Sequence, residues 1–185
     1  MFKKALEQYS DEALMRELIK GKQQAFGVLY DRYGPRMYRY FYRMLWQDAG
    51  KAEDFTQELF LKIIEKPQSF DPSRNFCTWL YTLAANLCKN EYRRKKPGEL
   101  AELDQGVLFE NFSEKMDQHL FDQQLRRAID QLSANHRQCF ILRYQEERSV
   151  AEIAAIIGCP EGTIKSRLHY ALQQVSHNLE AWKTH

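Results

Sequence analysis

SVAEIAAIIGCPEGTIKSRLHY, residues 149–170, reads as two short helices around a tight turn. Ser149 and Glu152 stand three apart, as a capping box requires, and Ile153, Ala154, Ile156 and Ile157 give the first helix an apolar face that Gly158 ends. Pro160 opens the second helix, where its missing N–H is no loss, and Glu161 suits the positive end of the helix dipole. Ile164 and Leu168, four apart, turn inward, which leaves Thr163, Lys165, Ser166, Arg167 and His169 mostly outward. Hydroxyls, cations and an imidazole on one face are groups that bond phosphates and base edges. The competing reading is a helical hairpin in a core, with its charges solvating one side.

The flanking residues continue the helical pattern. A helix from about Asp117 to Leu132 places Phe121, Leu125, Ala128, Ile129 and Leu132 inward, and Ser133 caps the next, which carries Cys139, Phe140, Leu142 and Tyr144. The last helix runs on toward Trp182 with Leu168, Leu172, Val175 and Leu179 as its inner stripe. Residues 116–185 thus form one small helical domain, with 8 Lys+Arg against 8 Asp+Glu. Upstream of it lies PGELAELDQGVLFENFSEK, residues 97–115, with 1 Lys against 5 acids and no sustained periodicity. This acidic strip is the expected linker.

Residues 1–96 form the other domain and are basic, with 18 Lys+Arg against 12 Asp+Glu. A first helix extends from about Asp11 to Lys20, capped by Ser10 and ended by Gly21, with Leu14, Leu18 and Ile19 at helical spacing. A second, from about Gln23 to Leu45, carries Phe26, Leu29, Tyr30, Tyr33, Met37, Tyr40, Phe41 and Met44 as its inner stripe, and Gly34-Pro35 predicts a kink or break. In a third, about Gly50 to Glu65, Phe55, Leu59, Phe60, Ile63 and Ile64 supply the buried side, while Glu53, Asp54, Gln57 and Glu58 make an acidic, amide-bearing patch. A fourth, about Phe76 to Lys96, has Phe76, Leu80, Leu83, Ala84, Leu87 and Tyr92 inside and ends in Arg93, Arg94, Lys95 and Lys96. Those four charges alone fit a favourable helix C-terminus. Asn86, Lys89, Asn90 and Arg93, three or four apart, add a stripe of amides and cations flanked by Thr78, Trp79 and Tyr81. Such a stripe holds a backbone and stacks on or bonds an unstacked base.

Composition narrows the classes. Few glycines and prolines and no long β-branched alternation predict an all-α protein of two small helical domains. No apolar run approaches the roughly 18 residues of a membrane span, and Met1 to Gln8 lacks a following signal region, so a cytoplasmic protein is expected. Cys77, Cys88, Cys139 and Cys159 form no C-x-x-C pair and read as reduced thiols in or near the core. No glycine-rich phosphate loop, nucleophile elbow or metal-ligand spacing is present, and His119, His136, His169, His177 and His185 are isolated. The expectation is a protein that is not an enzyme, with no catalytic residue, no metal, no cofactor and no small-molecule substrate.

Four stretches, in three separate blocks, then carry a family resemblance. GCPEGTIKSRLHYAL, residues 158–172, resembles the region 4 helix-turn-helix of the extracytoplasmic-function sigma factors, whose usual form is near G-I-P-x-G-T-V-K-S-R-L-H-R-A-R. LSANHRQCFILRYQEERSVAEIA, residues 132–154, matches the segment before it, with Ser133 where proline is usual. AEDFTQELFLKI, residues 52–63, resembles a region 2 signature at Ala52, Glu53, Asp54, Thr56, Gln57, Glu58, Phe60 and Leu61, and FCTWLYTLAANLCKNEYRRKK, residues 76–96, resembles the later part of that region. The resemblance implies a region 2 bundle joined by the linker to a region 4 domain, and two principal partners, core RNA polymerase and promoter DNA. By it, Asp54, Gln57, Glu58 and Phe60 would dock on core polymerase. Trp79, Asn86, Lys89, Asn90, Arg93, Arg94 and Lys95 would hold the melted minus-10 strand, and Thr163, Lys165, Ser166, Arg167 and His169 would read the minus-35 duplex. The acidic linker would thread along the polymerase. An anti-sigma factor is a further partner the resemblance allows, although no residue names one. The clearest departure is Tyr170-Ala171-Leu172 in place of R-A-R, which removes two charges and predicts weaker phosphate anchoring. An ordinary transcriptional regulator with the same helix-turn-helix is the rival class. Neither the α/β receiver pattern nor the heptad run such proteins use is present.

Overall fold

The computed structural model describes residues 5–94 and 118–183, and among these every regular element is helical. The helices are α1 (Asp11–Ile19), α2 (Gln24–Met44), α3 (Ala49–Glu65), α4 (Phe76–Arg94), α5 (Gln118–Asp130), α6 (Ala134–Phe140), α7 (Val150–Ile157) and α8 (Glu161–Lys183). They fall into two compact units, the first made of α1 to α3 and α4 as far as Glu91 together with Ala155–Ile157 of α7, the second of the end of α4, α5, α6, the rest of α7 and α8. The acidic strip expected as a linker, residues 97–115, lies outside the described residues.

In the first unit, α1 begins where the Ser10 hydroxyl accepts the Ala13 N–H and stops before Gly21, whose φ of 88° suits a residue without Cβ. The α2 helix is not broken at Gly34-Pro35: it runs unbroken for 21 residues. Pro35 sits on the exposed side, while Val28, Leu29, Met37, Tyr40, Phe41 and Met44 are buried on the other, so tertiary packing outweighs the lost backbone bond. Ring contacts fix the neighbours. Phe26 and Tyr30 meet Phe60 while Phe41 meets Phe55, so α3 runs antiparallel to α2. Tyr33 meets Phe76 and Tyr40 meets Tyr81, so α4 runs parallel to it. Asp11 ties α1 to α2 by accepting from Arg32 at 2.6 Å and from the Tyr33 hydroxyl at 2.5 Å.

One contact across this unit prepares α4. The Glu12 carboxylate on α1 accepts the Phe76 N–H at 3.0 Å, and Asn75 accepts the Thr78 N–H at 2.8 Å. Two donors at the start of α4, unpaired within the helix, are thus satisfied, one locally and one from 64 residues away.

The second unit packs α5 and α6 against the long α8. Ala128, Ile129, Leu132 and Phe140 bury against Ala171, Val175 and Leu179, with Phe121, Leu125 and Leu172 half-buried at the edge. Ser133 caps α6 through the His136 N–H even without the usual proline. After α6 the chain makes a π-turn over Ile141–Gln145, which leaves Tyr144 exposed. Arg137 is 2% exposed, and its guanidinium donates to the Ile129, Asp130 and Leu132 carbonyls at the end of α5. A charged donor there satisfies carbonyls left over by the helix and faces the negative end of its dipole.

Candidate nucleic-acid and polymerase surfaces

The helix-turn-helix is built as its sequence dictates. Ser149 and Glu152 form the reciprocal capping box, the Ser149 N–H donating to the carboxylate at 2.8 Å and the Glu152 N–H to the hydroxyl at 3.2 Å. The Ser149 N–H holds the Glu152 carboxyl below its usual range. Gly158 ends α7 at φ 74°, in the left-handed region. Pro160 sits one position earlier than expected: its carbonyl accepts the Thr163 and Ile164 N–H groups, making it the cap, and Glu161 is the first helical residue. Ile164 and Leu168 are buried, and Lys165, Ser166 and His169 are exposed.

Two of the expected outward groups are engaged within the domain. The Ser166 hydroxyl donates to the Gly162 carbonyl at 3.1 Å. Arg167 is half-buried, its Nη1 lying 3.8 Å from the Cys159 Sγ. Position explains this. Residue 167 stands three after Ile164 and four before Ala171, both fully buried, so it lies beside the inner stripe. Thr163, four before Arg167, is half-buried for the same reason. Burial pushes the neighbouring Cys139 thiol up to about 11, with the Arg167 guanidinium opposing that rise.

On α4, Asn86, Lys89, Asn90, Arg93 and Arg94 are all exposed, and the first four share one face across two turns. Leu80, Ala84, Leu87 and Cys88 bury the opposite side and fix the stripe's direction. Glu91, the acid in this basic end, is paired with Lys51 at the start of α3. Trp79 is half-buried, its ring 5.0 Å from Phe70 and 5.8 Å from Phe76. Tyr81, expected to flank the stripe, is instead fully buried against Tyr40, with the Arg36 guanidinium over its ring. Being five residues before Asn86, it falls on the far side of the helix. Lys95 lies outside the described residues.

On α3, Glu53, Asp54, Gln57 and Glu58 are exposed as a continuous patch, with Glu58 paired to Lys62 at 3.1 Å. Phe60, which its spacing places on the buried side and the resemblance makes a polymerase contact, is buried at 3% exposure. Its ring supports Tyr30 at 4.8 Å, and Tyr30 and Leu61 are the large apolar groups that face out there. The exposure of Tyr30 went unread because an aromatic at helical spacing reads first as core. Tyr170, which takes the place of an arginine of the resembling motif, is exposed too and lies four residues after Ser166 on its face. Among the described residues no group of acids, thiols and imidazoles is arranged to hold a metal ion. No described helix is long and apolar enough to cross a membrane.

Comparison with known proteins identifies both units. Residues 29–97 match the model of Sigma-70 region 2, and residues 122–175 match that of Sigma-70, region 4. The chain is 33% identical over 170 residues to the ECF RNA polymerase sigma factor SigW of Bacillus subtilis, covering 84% of this chain and 89% of that protein. Among solved structures, CnrH in complex with the cytosolic domain of CnrY is similar in fold, with a TM-score of 0.71 at 22% identity over 92% of this chain and 97% of that one. The sigma factor RpoE in complex with the anti-sigma factor NepR, from Bartonella quintana, gives a TM-score of 0.64 at 25% identity, covering 84% of this chain and 96% of that one.

Proposed function

The chain belongs to the extracytoplasmic-function class of sigma-70 factors, and from that premise we propose how its surfaces divide the work of starting transcription at promoters. It is not an enzyme; it binds core RNA polymerase and gives it promoter specificity, acting in the cytoplasm where the polymerase acts. Residues 1–96 would serve as the polymerase-binding and minus-10 domain, 97–115 as the linker and 116–185 as the minus-35 domain.

One observation carries the reading: an exposed stripe of Asn86, Lys89, Asn90 and Arg93 on a rigid helix occurs in the same chain as a helix-turn-helix with an exposed second-helix face. Amides bond the edges of an unstacked base, and cations grip the backbone beside it. Capturing a base already out of the stack offsets an unpairing cost of roughly a few kcal/mol, so binding energy becomes strand opening. Arg94 and Lys95 extend the phosphate grip, and Trp79, braced by Phe70 and Phe76, offers a fixed ring edge. On α8, Lys165 and His169 are the groups free to face a major groove. Thr163 and Ser166 stand beside them for phosphate or base contact, and Arg167 joins by leaving Cys159.

Core polymerase docks on Asp54, Gln57 and Glu58, and Phe60 acts through the Tyr30 ring it supports. An anti-sigma factor is the regulatory partner supported by the likeness to RpoE, which is held by NepR. The test is multi-round transcription with purified bacterial core polymerase on a pooled promoter library, with and without the protein. New starts that share two upstream elements about two DNA turns apart support the reading. Unchanged transcription, with no comigration of protein and core, refutes it.

A further inference from the structure

We propose that Tyr170 is a specificity-determining residue of the α8 face, its ring packing on the C5-methyl group of one thymine in the minus-35 duplex; the proposal rests on the reading that α8 enters that duplex. Tyr170 follows His169 and stands four after Ser166, so it continues the outward face of the helix by one turn. It is 46% exposed, the largest apolar surface on a face otherwise polar. A single exposed tyrosine means little by itself. This one is braced: the His169 ring meets it edge-on at 5.6 Å and 66°, and the His136 ring of α6 lies 6.2 Å away at 32°. Rings on two helices thus hold it in place before any ligand arrives, which lowers the ordering cost of a contact.

The chemistry follows from what else the face lacks. Arg167 is turned toward Cys159, Ser166 donates back to Gly162, and Leu172, the other position where the resembling motif carries arginine, packs at the edge of the domain core. Tyr170 is therefore the side chain that replaces a cation on the surface. It brings no charge and releases no counterion, so its gain has to come from apolar contact. In the major groove, thymine's methyl is the apolar group a base pair presents.

Replacing thymine with deoxyuridine removes that methyl and keeps every hydrogen bond. The experiment uses holoenzyme assembled from the full chain and core polymerase, on a promoter it initiates from, with deoxyuridine placed in turn at each minus-35 thymine. For the wild type, one position should weaken binding about fourfold, the value of one buried methyl. Tyr170→Ala should weaken binding to the thymine duplex and lose that sensitivity, while Tyr170→Phe keeps both. Tyr170→Arg should steepen the logarithmic salt dependence by about 0.9. If deoxyuridine costs nothing anywhere, or costs the same in Tyr170→Ala and Tyr170→Phe, the proposal is overturned while the reading of α8 stands. If scrambling the whole minus-35 element leaves binding unchanged, that reading falls and takes the proposal with it.

Discussion

Replacing Arg137 with methionine keeps an unbranched apolar stem and removes the guanidinium with its charge and donors. The guanidinium reaches Ile129 O at 3.2 Å, Leu132 O at 3.3 Å and also Asp130 O, and the first two of these bonds are buried. A hydrogen bond from a charged donor contributes about 1.5–3 kcal/mol net, and the partner left behind bears its own desolvation cost. Taking the two buried bonds at the low end because they are long, and letting water replace the third, gives a loss of about 3 kcal/mol. A unit of roughly 65 residues has only about 3–10 kcal/mol in total, so the loss is about a third or more of the stability of α5 to α8. Hydrogen exchange of the full-length protein, read peptide by peptide, separates the two units. Amides of α5, α6 and α8 should lose about two orders of magnitude of protection, while those of α2 to α4 keep theirs. Arg137→Lys should fall between, because one ammonium cannot span three carbonyls. Protection in α5 to α8 within threefold of wild type would refute the account, showing that the guanidinium's desolvation cancels its bonds.

Asn86→Ala should abolish strand opening, read by permanganate reactivity of the minus-10 thymines, while comigration with core polymerase is retained; loss of core binding instead would sink the role given to Asn86. Glu12→Ala removes the long-range cap on α4 and should cost the first unit about 1 kcal/mol at neutral pH. The Phe76 N–H holds the Glu12 carboxyl below its ordinary value of 4.5. Its contribution is therefore present above about pH 4.5 and is lost as pH falls through the lower folded value, so wild type and variant should converge in acid. A constant difference across that range, by denaturant titration, would contradict the assignment. Under native conditions a soluble alkylating reagent should label Cys77 and Cys159, which are half-buried, and spare Cys88 and Cys139, whose thiols burial pushes up. Intact mass should show two adducts in the folded protein and four after unfolding.

The sequence made the helices legible because their ends are chemical: Ser10, Ser133, Ser149 and Gly158 each cap or stop a helix where the pattern says. It also exposed the stripe on α4, since four polar residues at helical spacing opposite a buried run have one place to go. It misled wherever a large residue lay at the edge of an apolar stripe. Tyr30 and Phe60 share one aromatic cluster, yet Phe60 goes inside and Tyr30 remains 44% exposed. Tyr81 and Arg167 turned inward for the mirror reason, since spacing gives an angle around one helix but not the position of the next. Pro35 shows the same limit in energy: a local rule predicted a kink or break, and the buried side chains along α2 keep the helix continuous through it. Arg137 carried no sign of its role, because the carbonyls it bonds lie at the end of α5 and just past it, before its own helix begins.

The α8 helix is a lever. At 23 residues it is about 35 Å long; Ala171, Val175 and Leu179 pack it in the core of its unit, and the turns proposed to read the duplex centre about 18 Å from the Val175–Leu179 contact. A tilt of 5° at the anchor, the scale of one repacked side chain, would carry the reading end about 1.6 Å, well beyond the roughly 0.5 Å that directional contacts tolerate. On the proposed reading, substitutions around Ala128, Ile129 and Leu132, which lie in the core under α8, would shift promoter preference through the seat of the helix. Selection for new targets can work through the bearing of the lever as well as through its tip.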